Sequence, residues 1–279
     1  MLTVIVPAHN ESQVIGRLLD RIVGSAGHQD LEIIVVANGC TDDTAAVAAD
    51  YGYPVRVLEI PVPSKSDALK AGDAAAKGFP RVYLDADVEL NAAGLWSLAR
   101  ALDAPGVLAA GPERDLDLTH SAWPVRWYYD IWQRLPAVRH GLFGRGTVAV
   151  SEAGHRRITA LPPLLADDLA ASLTFGPAER RIVAASRVLV HAPRSLGDLM
   201  RRRVRVATGV IQIERSAQAP RSCERTSFRD LFVILASNPV LAPKMVVFLV
   251  VTIVARQQGK ATARENDYAT WLRDESSRL

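Results

Sequence analysis

The stretch RVYLDADVEL, residues 81–90, begins as a short apolar strand and ends in two aspartates that are separated by one residue. Side chains alternate along a strand, so Asp85 and Asp87 would point to one side while Ala86 points to the other. Two carboxylates arranged in this way can bind one hard cation, such as Mg²⁺ or Mn²⁺. The alternative is that Asp85 caps the next segment and Asp87 is solvated.

The residues before this stretch alternate between strand and helix patterns. Apolar strands that are separated by helices predict a parallel sheet covered on both faces. Asn10 and Gln13 predict a capping box that opens the first helix. Strands are predicted at 2–6, 31–37, 55–60 and 82–84, and helices at 14–23, 42–51 and 66–77.

In such a sheet the carboxyl ends of the strands share one edge, and ligands bind there. A polar group follows each predicted strand, so these groups are expected to be neighbours in space. They are Asn10 and Glu11 after the first strand, Asn38 after the second, Lys65 after the third, and Asp85 and Asp87 after the fourth.

Composition fits one large α/β domain, or a domain with an appendage. The chain has 279 residues, of which 49% are hydrophobic and 23% charged, and a formal net charge of +3. This mild excess of positive charge does not favour nucleic acid as a partner. Cys40 and Cys223 have neither metal-ligand nor disulfide spacing, which predicts free thiols in a reducing cytosol. Met1 leads directly into a strand pattern, without the features of a signal peptide.

Other phosphate-binding patterns compete for this half of the chain. The dinucleotide pattern G-x-G-x-x-G is absent after the first strand, where PAHNES stands at 7–12, and the sequence holds no P-loop pattern. An aspartyl phosphatase with Asp85 as its nucleophile is a real alternative. It is weakened because Glu89 stands where such enzymes usually carry Thr or Ser, and because three strand-helix units precede the motif.

Four stretches, in this order and spacing, resemble the nucleotide-sugar half of family 2 glycosyltransferases. They are VIVPAHNES at 4–12, VVANGCTDDT at 35–44, the stretch from Lys65 to Gly72, and LDADV at 84–88. The resemblance implies a GT-A fold, which is an α/β fold with a mostly parallel central sheet flanked by helices. It also implies a nucleotide-diphospho-sugar donor, with a UDP-sugar favoured, and Mg²⁺ or Mn²⁺ as cofactor.

The resemblance assigns a role to each polar strand end. Many relatives carry Asp-Asp where this chain has Ala37-Asn38, and because an amide can both donate and accept, the base identity stays open. By the resemblance, the nucleoside is lined by Pro7, Ala8, Asn10 and Glu11, and Asn38 reads the base. Lys65 approaches the base or the diphosphate. Asp85 contacts the ribose or the metal, and Asp87 binds the metal.

Transfer to an acceptor hydroxyl needs a general base, and Asp167-Asp168 is the candidate pair. It lies in LLADDLAASLTFG, residues 164–176, where the family usually has Glu-Asp. The resemblance aligns Asp168 with the catalytic base. Repulsion between the two carboxylates would help a base to work near neutral pH. The alternative is an acid pair that complements a helix N-terminus.

The stretch from Arg202 to Val206 falls where the family has Gln-x-x-Arg-Trp, and only the arginine is kept. In the family that tryptophan belongs to processive synthases, so its loss predicts transfer of a single sugar. Arg202 and Arg205 share a helix face and could stabilise the departing diphosphate, although a solvated basic face is the alternative. His191 could complete the metal site, as in some GT-A relatives, or be structural.

Two further stretches precede the Asp167-Asp168 pair. WPVRWYYDIW at 123–132 holds five aromatic residues, which fit a platform for sugar rings or a lipid headgroup, or else a packed amphipathic helix. In FGRG, residues 143–146, Gly144 and Gly146 flank Arg145. Gly146 either permits a close approach of two chain segments or is simply a bend.

The C-terminal part holds apolar runs at 228–236 and 245–255. The second run has eleven residues, fewer than the roughly 20 that span a bilayer. We expect a helical hairpin that packs on the domain or lies in the membrane interface, so 228–256 is the candidate membrane contact. A spanning helix and burial against a second subunit are the alternatives. The predicted domains are 1–225, with halves 1–110 and 111–225, and a hydrophobic helical extension at 226–279.

The sequence thus predicts an inverting glycosyltransferase that transfers one sugar to a lipid-linked or small polar acceptor. Inversion is implied by the resemblance alone. The predicted location is the cytoplasm, with the inner face of the cell membrane as a variant of it. Besides the phosphatase, the alternative is a protein that binds sugar nucleotides without turnover.

Overall fold

The computed structural model describes residues 1–25, 30–161, 167–215 and 227–264. Its strands are β1 Leu2–Ala8, β2 Leu31–Asn38, β3 Val55–Ile60, β4 Arg81–Leu84, β5 Val88–Glu89, β6 Ala109–Asp117, β7 Thr147–Val150 and β8 Arg180–His191. Its α-helices are α1 Ile15–Val23, α2 Thr44–Ala49, α3 Lys65–Ala75, α4 Ala92–Ala101, α5 Trp123–Trp132, α6 Pro136–His140, α7 Glu152–Thr159, α8 Asp167–Thr174, α9 Leu196–Arg215, α10 Phe228–Ser237 and α11 Ala242–Arg264. A 3₁₀ turn, Pro239–Leu241, joins α10 to α11.

The strands form one sheet in the order β3-β2-β1-β4-β7-β6-β8-β5. Strands β1 to β4 pair in parallel, and β6 pairs in parallel with β8. Within the described chain, β5 and β7 pair antiparallel with their neighbours. The predicted mostly parallel sheet is therefore confirmed, and the carboxyl ends of β1, β2, β3, β4, β6 and β8 lie along one edge.

The first four strands and three helices match the predicted segments closely. Residues of β1 and β2 are buried because helices cover both faces of the sheet, which explains their unbroken apolar sequence. The main hydrophobic core lies between the strands and helices α1 and α4, where Ile15, Leu18 and Leu95 are fully buried.

The predicted capping box of Asn10 and Gln13 is wrong. Helix α1 begins at Ile15, and Val14 at the N-cap position makes no side-chain capping bond. Asn10 instead adopts a left-handed backbone conformation, with φ of 52°. Asparagine tolerates this conformation better than most residues, and its side chain is then directed away from the helix.

The aromatic stretch 123–132 forms α5, and its main use is packing. Tyr128 and Trp132 are among its buried residues, and the Tyr128 ring stacks on Phe248 of α11 with centroids 5.2 Å apart. Helices α5, α9 and α11 thus share a second hydrophobic cluster. Trp123 is the exception, since it is 61% exposed.

The C-terminal apolar segment is longer than the sequence predicted. Helix α11 runs unbroken for 23 residues because Pro243 lies in its first turn, where a missing N–H group costs little. By length and composition alone, Pro239–Ala263 is a candidate membrane span, with 28% of its most apolar window buried. Helix α11 packs on helices α5 and α9 of the domain, which is one of the two predicted arrangements.

The predicted domain boundary at 225/226 lies outside the described residues, and so does Cys223. Cys40 is a free thiol.

Candidate active site

The carboxyl edge of the sheet brings together two of the predicted residues directly. The Lys65 Nζ atom lies 2.8 Å from Asp85 Oδ1. Lys65 is the first residue of α3, which Ser64 caps by accepting a hydrogen bond from the Asp67 N–H. An ion pair this exposed adds little stability, about 1 kcal/mol at most, so its main effect is to orient both side chains toward the same opening.

Asn38 ties the ends of β1 and β2 together. Its side-chain Nδ2 donates to the Ala8 carbonyl at 2.8 Å, and its main-chain oxygen lies 2.7 Å from His9 Nδ1. Asn38 is 1% exposed, and its Oδ1 has no hydrogen-bond partner within the described chain. The bond to Ala8 identifies Nδ2 as the donor end, so an acceptor is the group left for a ligand; that Asn38 reads the base stays a prediction.

The loop after β1 is bound to the loop after β2. Asn10 Oδ1 accepts from the Thr41 N–H at 2.8 Å, and the Asn10 N–H lies 3.5 Å from Cys40 Sγ. His9, Cys40 and Thr41 were not predicted as site residues. The available signal was position, because all three lie within the loops that carry the predicted residues.

Glu11 is buried beside the start of α2. It is 7% exposed, and its main-chain N–H donates to Thr44 Oγ1 at 2.8 Å. Asp42 accepts from the Thr44 hydroxyl and from the Ser12 N–H. Burial would raise the pKa of Asp42, but these hydrogen bonds outweigh it and lower that pKa. The Pro7, Ala8 and Glu11 segment is therefore held rigidly at the edge.

Asp87 lies at the same edge, beside the end of β8. Val88 pairs with Val190 and Glu89 with Leu189 in antiparallel register, so one further step sets Asp87 opposite His191. Ala86 and Val88 are buried whereas Asp85 and Asp87 are partly exposed, as the alternation in the sequence predicted. Residues 85–87 form the turn between β4 and β5, so both partly exposed carboxylates lie in one short connection.

His191 is already engaged by two carboxylates. Its Nε2 lies 3.0 Å from Glu89 Oε1, and its Nδ1 lies 3.2 Å from Asp117 Oδ2. The pKa of Asp117 is lowered, first by hydrogen bonds from Thr119 and then by His191. His191 would have to release one carboxylate to bind a metal, so its predicted role as a ligand stays a prediction.

The donor set fits a hard divalent cation that takes most of its ligands from a diphosphate. No group of three His, Cys, Asp or Glu side chains within the described chain forms a complete metal site. Mg²⁺ is typically bound through one or two carboxylates together with substrate phosphates and water. Asp85 and Asp87 supply that number of carboxylates at an open strand end.

Asp168 lies at the start of α8, where backbone groups hold both of its carboxylate oxygens. Oδ1 accepts from the Leu169 N–H at 2.7 Å, and Oδ2 accepts from the Gly144 N–H at 2.8 Å. The side chain of Asp167 lies outside the described residues. Asp168 is therefore fixed by a turn that is distant in sequence as well as by its own helix.

That turn, Gly144–Arg145–Gly146, also contacts the donor side. The Asp85 N–H donates to the Gly146 carbonyl at 2.8 Å. Gly144 and Gly146 have φ of 66° and 60°, the left-handed region that glycine adopts most easily. A Cβ atom on Gly146 would lie 2.5 Å from Val88 Cγ1 and 3.4 Å from Asp85 Oδ2. Gly146 is therefore a point of close approach.

Arginine side chains surround this turn. Arg114 donates to the Gly144 carbonyl at 3.1 Å, with its guanidinium 4.3 Å from the Trp132 ring centroid. Burial, followed by the charges of Arg145 and Arg202, lowers the pKa of Arg114 to about 9. The charge of Arg202 therefore acts on Arg114, while its role at the diphosphate stays a prediction. Within the described residues, no hydrogen bond or ion pair connects Arg205 with Asp168 or Asp85.

The sheet order, with polar side chains at the carboxyl ends of its parallel strands, is that of the GT-A fold. A mannosyltransferase from Pyrobaculum calidifontis, solved with GDP-Man and Mn²⁺, superposes with a TM-score of 0.68 at 18% identity over 95% of this chain and 87% of that chain. Glucosyl-3-phosphoglycerate synthase from Mycobacterium tuberculosis, solved with phosphoglyceric acid, gives 0.55 at 22% identity over 76% and 79%. These similarities confirm the predicted fold.

The model of glycosyl transferase family 2 matches residues 3–152, so the chain belongs to that family. An uncharacterised glycosyltransferase of Mycobacterium tuberculosis is 35% identical over 142 residues, which are 48% of this chain and 62% of the relative. A dolichyl-phosphate beta-glucosyltransferase of Drosophila melanogaster is 38% identical over 99 residues, covering 31% of this chain and 30% of the relative. The chain therefore spans less than two thirds of these curated relatives.

Proposed function

We propose that this protein transfers a single sugar, with inversion, from a nucleotide-diphospho-sugar to an acceptor hydroxyl. One observation carries the proposal: Asp168 and Asp85 are bound to the two ends of the turn Gly144–Gly146. A base and a donor-binding carboxylate on one rigid turn is the arrangement that a direct displacement needs.

In the proposed reaction the acceptor oxygen attacks the anomeric carbon of the donor sugar. Asp168 takes the hydroxyl proton as the new C–O bond forms. The bond from the anomeric carbon to the diphosphate oxygen breaks, and its electron pair leaves with the diphosphate. Attack opposite the leaving group inverts the anomeric configuration. General base catalysis of this kind contributes about 10² to 10⁴ in rate.

The leaving diphosphate would bind among Lys65, Arg202 and Arg205. Lys65 supports this role because its Nζ lies 2.8 Å from Asp85 Oδ1 at the open strand end. Arg202 supports it because its charge acts on Arg114, which donates to the Gly144 carbonyl of the turn. Positive charge fixed in place before the reaction stabilises the negative charge that develops on the leaving group. Pro7, Ala8, Asn10, Glu11 and Asn38 would line the nucleoside, with a UDP-sugar favoured.

Asp87 would hold Mg²⁺ or Mn²⁺ together with Asp85, and His191 is the candidate third ligand. When bound, the metal ion would neutralise charge on the diphosphate. The presence of Mn²⁺ with GDP-Man in the Pyrobaculum calidifontis structure supports a divalent metal in this chain. The alternation of buried and open residues from Asp85 to Val88 supports the pairing of the two carboxylates.

We further infer that the C-terminal helices bind the surface of an anionic lipid bilayer. Helix α10 has no buried residue, and its Phe228 and Phe232 are 88% and 71% exposed. On α11, an exposed apolar stripe lies opposite the stripe that packs on the domain; it consists of Val246, Val250 and Ile253. Exposed apolar surface of this extent is typical of a membrane or protein contact.

Charge favours the lipid surface over a second copy of the chain. Residues 227–264 carry a single acidic side chain, Asp230, and five basic ones, Arg229, Lys244, Arg256, Lys260 and Arg264, of which Lys244 is paired with Asp130 of α5. Two such surfaces would repel each other, whereas anionic headgroups attract them. Helix α11 would lie on the membrane rather than span it, because Met245, Phe248 and Val251 are buried against the domain. Such a contact would hold the proposed site beside a membrane, which the sequence prediction puts at the inner face of the cell membrane, and it supports a lipid-linked acceptor over a small polar one.

Calorimetric titration of the protein with UDP and GDP, with and without Mn²⁺, tests the donor site. We expect one nucleotide to bind, and its affinity to depend on both the metal and Asp87, so that Asp87→Ala weakens binding to the metal-free level. Asp115→Asn, which removes an exposed carboxylate paired with Arg187, is the matched control and should bind as wild type does. Metal-independent binding, or none, would contradict the proposal.

A further inference from the structure

Arg145 is among the largest fully buried side chains of the described residues, at 1% exposure. Its guanidinium donates four hydrogen bonds, all to main-chain carbonyls. The acceptors are Gly141 at 2.9 Å, Pro112 at 2.7 Å, Arg139 at 2.9 Å and Val138 at 3.4 Å. No carboxylate within the described residues forms an ion pair with it.

These carbonyls come from two places where the backbone lacks its usual partners. Val138, Arg139 and Gly141 belong to the end of α6, where helix carbonyls have no further N–H group to accept from. Pro112 lies at the register shift of β6 against β8. Arg145 therefore joins the end of α6 and the irregular point of β6 to the turn between Gly144 and Gly146.

We infer that Arg145 is a positioning residue for the transfer reaction, an inference that rests on the proposed function. By fixing the turn, it holds the Gly144 N–H against Asp168 Oδ2, at 2.8 Å, and the Gly146 carbonyl against the Asp85 N–H, at 2.8 Å. Its guanidinium is buried under the turn and acts on the reaction through Asp168. Misplacement of a catalytic group by about 1 Å can cost on the order of 100-fold in rate.

The requirement is for arginine rather than for any cation. A planar guanidinium presents five N–H donors in a fixed fork, whereas a lysine ammonium is a single point with three. Burial lowers the pKa of Arg145 to about 10, so the side chain is still charged near neutral pH. Lysine could keep the charge at this site but could not reach four carbonyls that lie in different directions.

A double-mutant cycle tests the inference. The variants are Arg145→Lys, Asp168→Asn and the two combined. The readout is nucleoside diphosphate release from UDP-glucose or GDP-mannose with Mn²⁺, with water as the acceptor whose proton Asp168 takes and the free sugar as the second product. We expect Arg145→Lys to lower kcat by about 10- to 100-fold with a small change in donor KM. In the Asp168→Asn background it should lower kcat by less, within about threefold, because the Asp168 carboxylate is gone and only the contact of the turn with Asp85 is left to disturb.

Arg81→Lys is the matched control. Arg81, the first residue of β4, is also buried, at 8% exposure. It pairs with Asp73 of α3 and does not contact the turn. We expect it to lower the melting temperature while its effect on kcat, within about threefold, is the same in both backgrounds. If Arg145→Lys does not fold, the cycle is repeated with Arg145→Gln, which keeps two N–H donors without the charge.

The outcomes separate the two proposals. Equal losses from Arg145→Lys with and without Asp168 would overturn the positioning role and leave the proposed function intact. Full activity of Asp168→Asn, or no turnover by the wild-type protein with either donor, would overturn the proposed function, and the role of Arg145 would fall with it.

Discussion

Asp85 and Asp168 lie 83 positions apart in the sequence, yet one three-residue turn holds both. The Asp85 N–H donates to the Gly146 carbonyl, and Asp168 Oδ2 accepts from the Gly144 N–H. The separation between the proposed base and the proposed donor site is therefore set by backbone hydrogen bonds.

Asp168→Asn should abolish most of the turnover and leave donor binding unchanged. The amide keeps the size of the side chain but cannot take the acceptor proton, so kcat should fall by about 10² to 10⁴. Steady-state release of nucleoside diphosphate measures kcat, and calorimetry measures donor affinity. A protein that only binds sugar nucleotides would show no turnover to lose, and a phosphatase would instead form a phosphoryl adduct on Asp85.

Gly146→Ala should damage the site more than an equally strained glycine elsewhere. Gly52 has φ of 57°, close to the 60° of Gly146, but a Cβ atom on Gly52 would meet nothing within 4 Å. Gly52→Ala should therefore cost only the strain of a left-handed alanine, about 1–2 kcal/mol of unfolding free energy.

At Gly146 the new Cβ would also lie 2.5 Å from Val88 Cγ1, which must shift the strand end that carries Asp85 and Asp87. We expect Gly146→Ala to weaken Mn²⁺-dependent nucleotide binding by tenfold or more, on the order of 1.4 kcal/mol. Gly52→Ala should bind as wild type does. Urea unfolding and calorimetry on the two variants decide the point, and equal nucleotide affinity in both would contradict it.

Much of the first half of the fold could be predicted because its signals are local. The strand near Val35 and the helix near Leu18 follow from apolar runs and helical spacing, and the parallel pairing follows from their alternation. The capping box at Asn10 could not be recognised as wrong, since the residue is held by Thr41, from the next unit of the chain. A tertiary contact there outweighs the local preference.

The candidate site was predictable only up to the residues that stand at strand ends. Lys65 and Asp85 meet because parallel strands end together, which the sequence pattern already implies. Nothing in the stretch around Arg145 indicates that its side chain is buried, because arginine is rarely inside a protein. Its four acceptors come from α6 and β6, so its role depends on contacts that the sequence does not encode locally.

A pH-dependent stability is expected from His155, on α7. Its Nε2 lies 3.3 Å from Arg81, which can only donate, so Nε2 must accept and be unprotonated. Its Nδ1 then donates to the Tyr83 hydroxyl at 2.8 Å, which donates in turn to Asp73. The network requires a neutral imidazole.

Burial lowers the pKa of His155, with Asp73 opposing this and Arg81 adding to it. In the unfolded chain the histidine pKa is about 6.5, so the unfolded chain protonates this imidazole more readily than the folded protein does. Stability from this group is present above that pH and is lost as the pH falls below it, by up to about 1.4 kcal/mol per pH unit. Urea unfolding of His155→Gln should show a correspondingly flatter pH dependence, whereas His120→Gln, at an exposed position, should match wild type.

Phe228→Ser combined with Phe232→Ser should release the protein from anionic vesicles. Each exposed phenylalanine that enters the interface contributes up to about 1.5–3 kcal/mol, so we expect the double variant to bind at least about tenfold more weakly. Co-sedimentation with phosphatidylglycerol-containing vesicles measures this binding. Vesicles of phosphatidylcholine alone should bind less of the wild-type protein, because they offer the basic side chains no anionic headgroups.

The matched control is Tyr53→Ser with Val62→Ser. It removes two exposed apolar side chains, at 89% and 56% exposure, from the opposite half of the chain. If both double variants bind the vesicles equally well, α10 is not the membrane contact. If the wild-type protein forms a concentration-dependent dimer that only the phenylalanine variant loses, this surface binds a second copy of the chain instead.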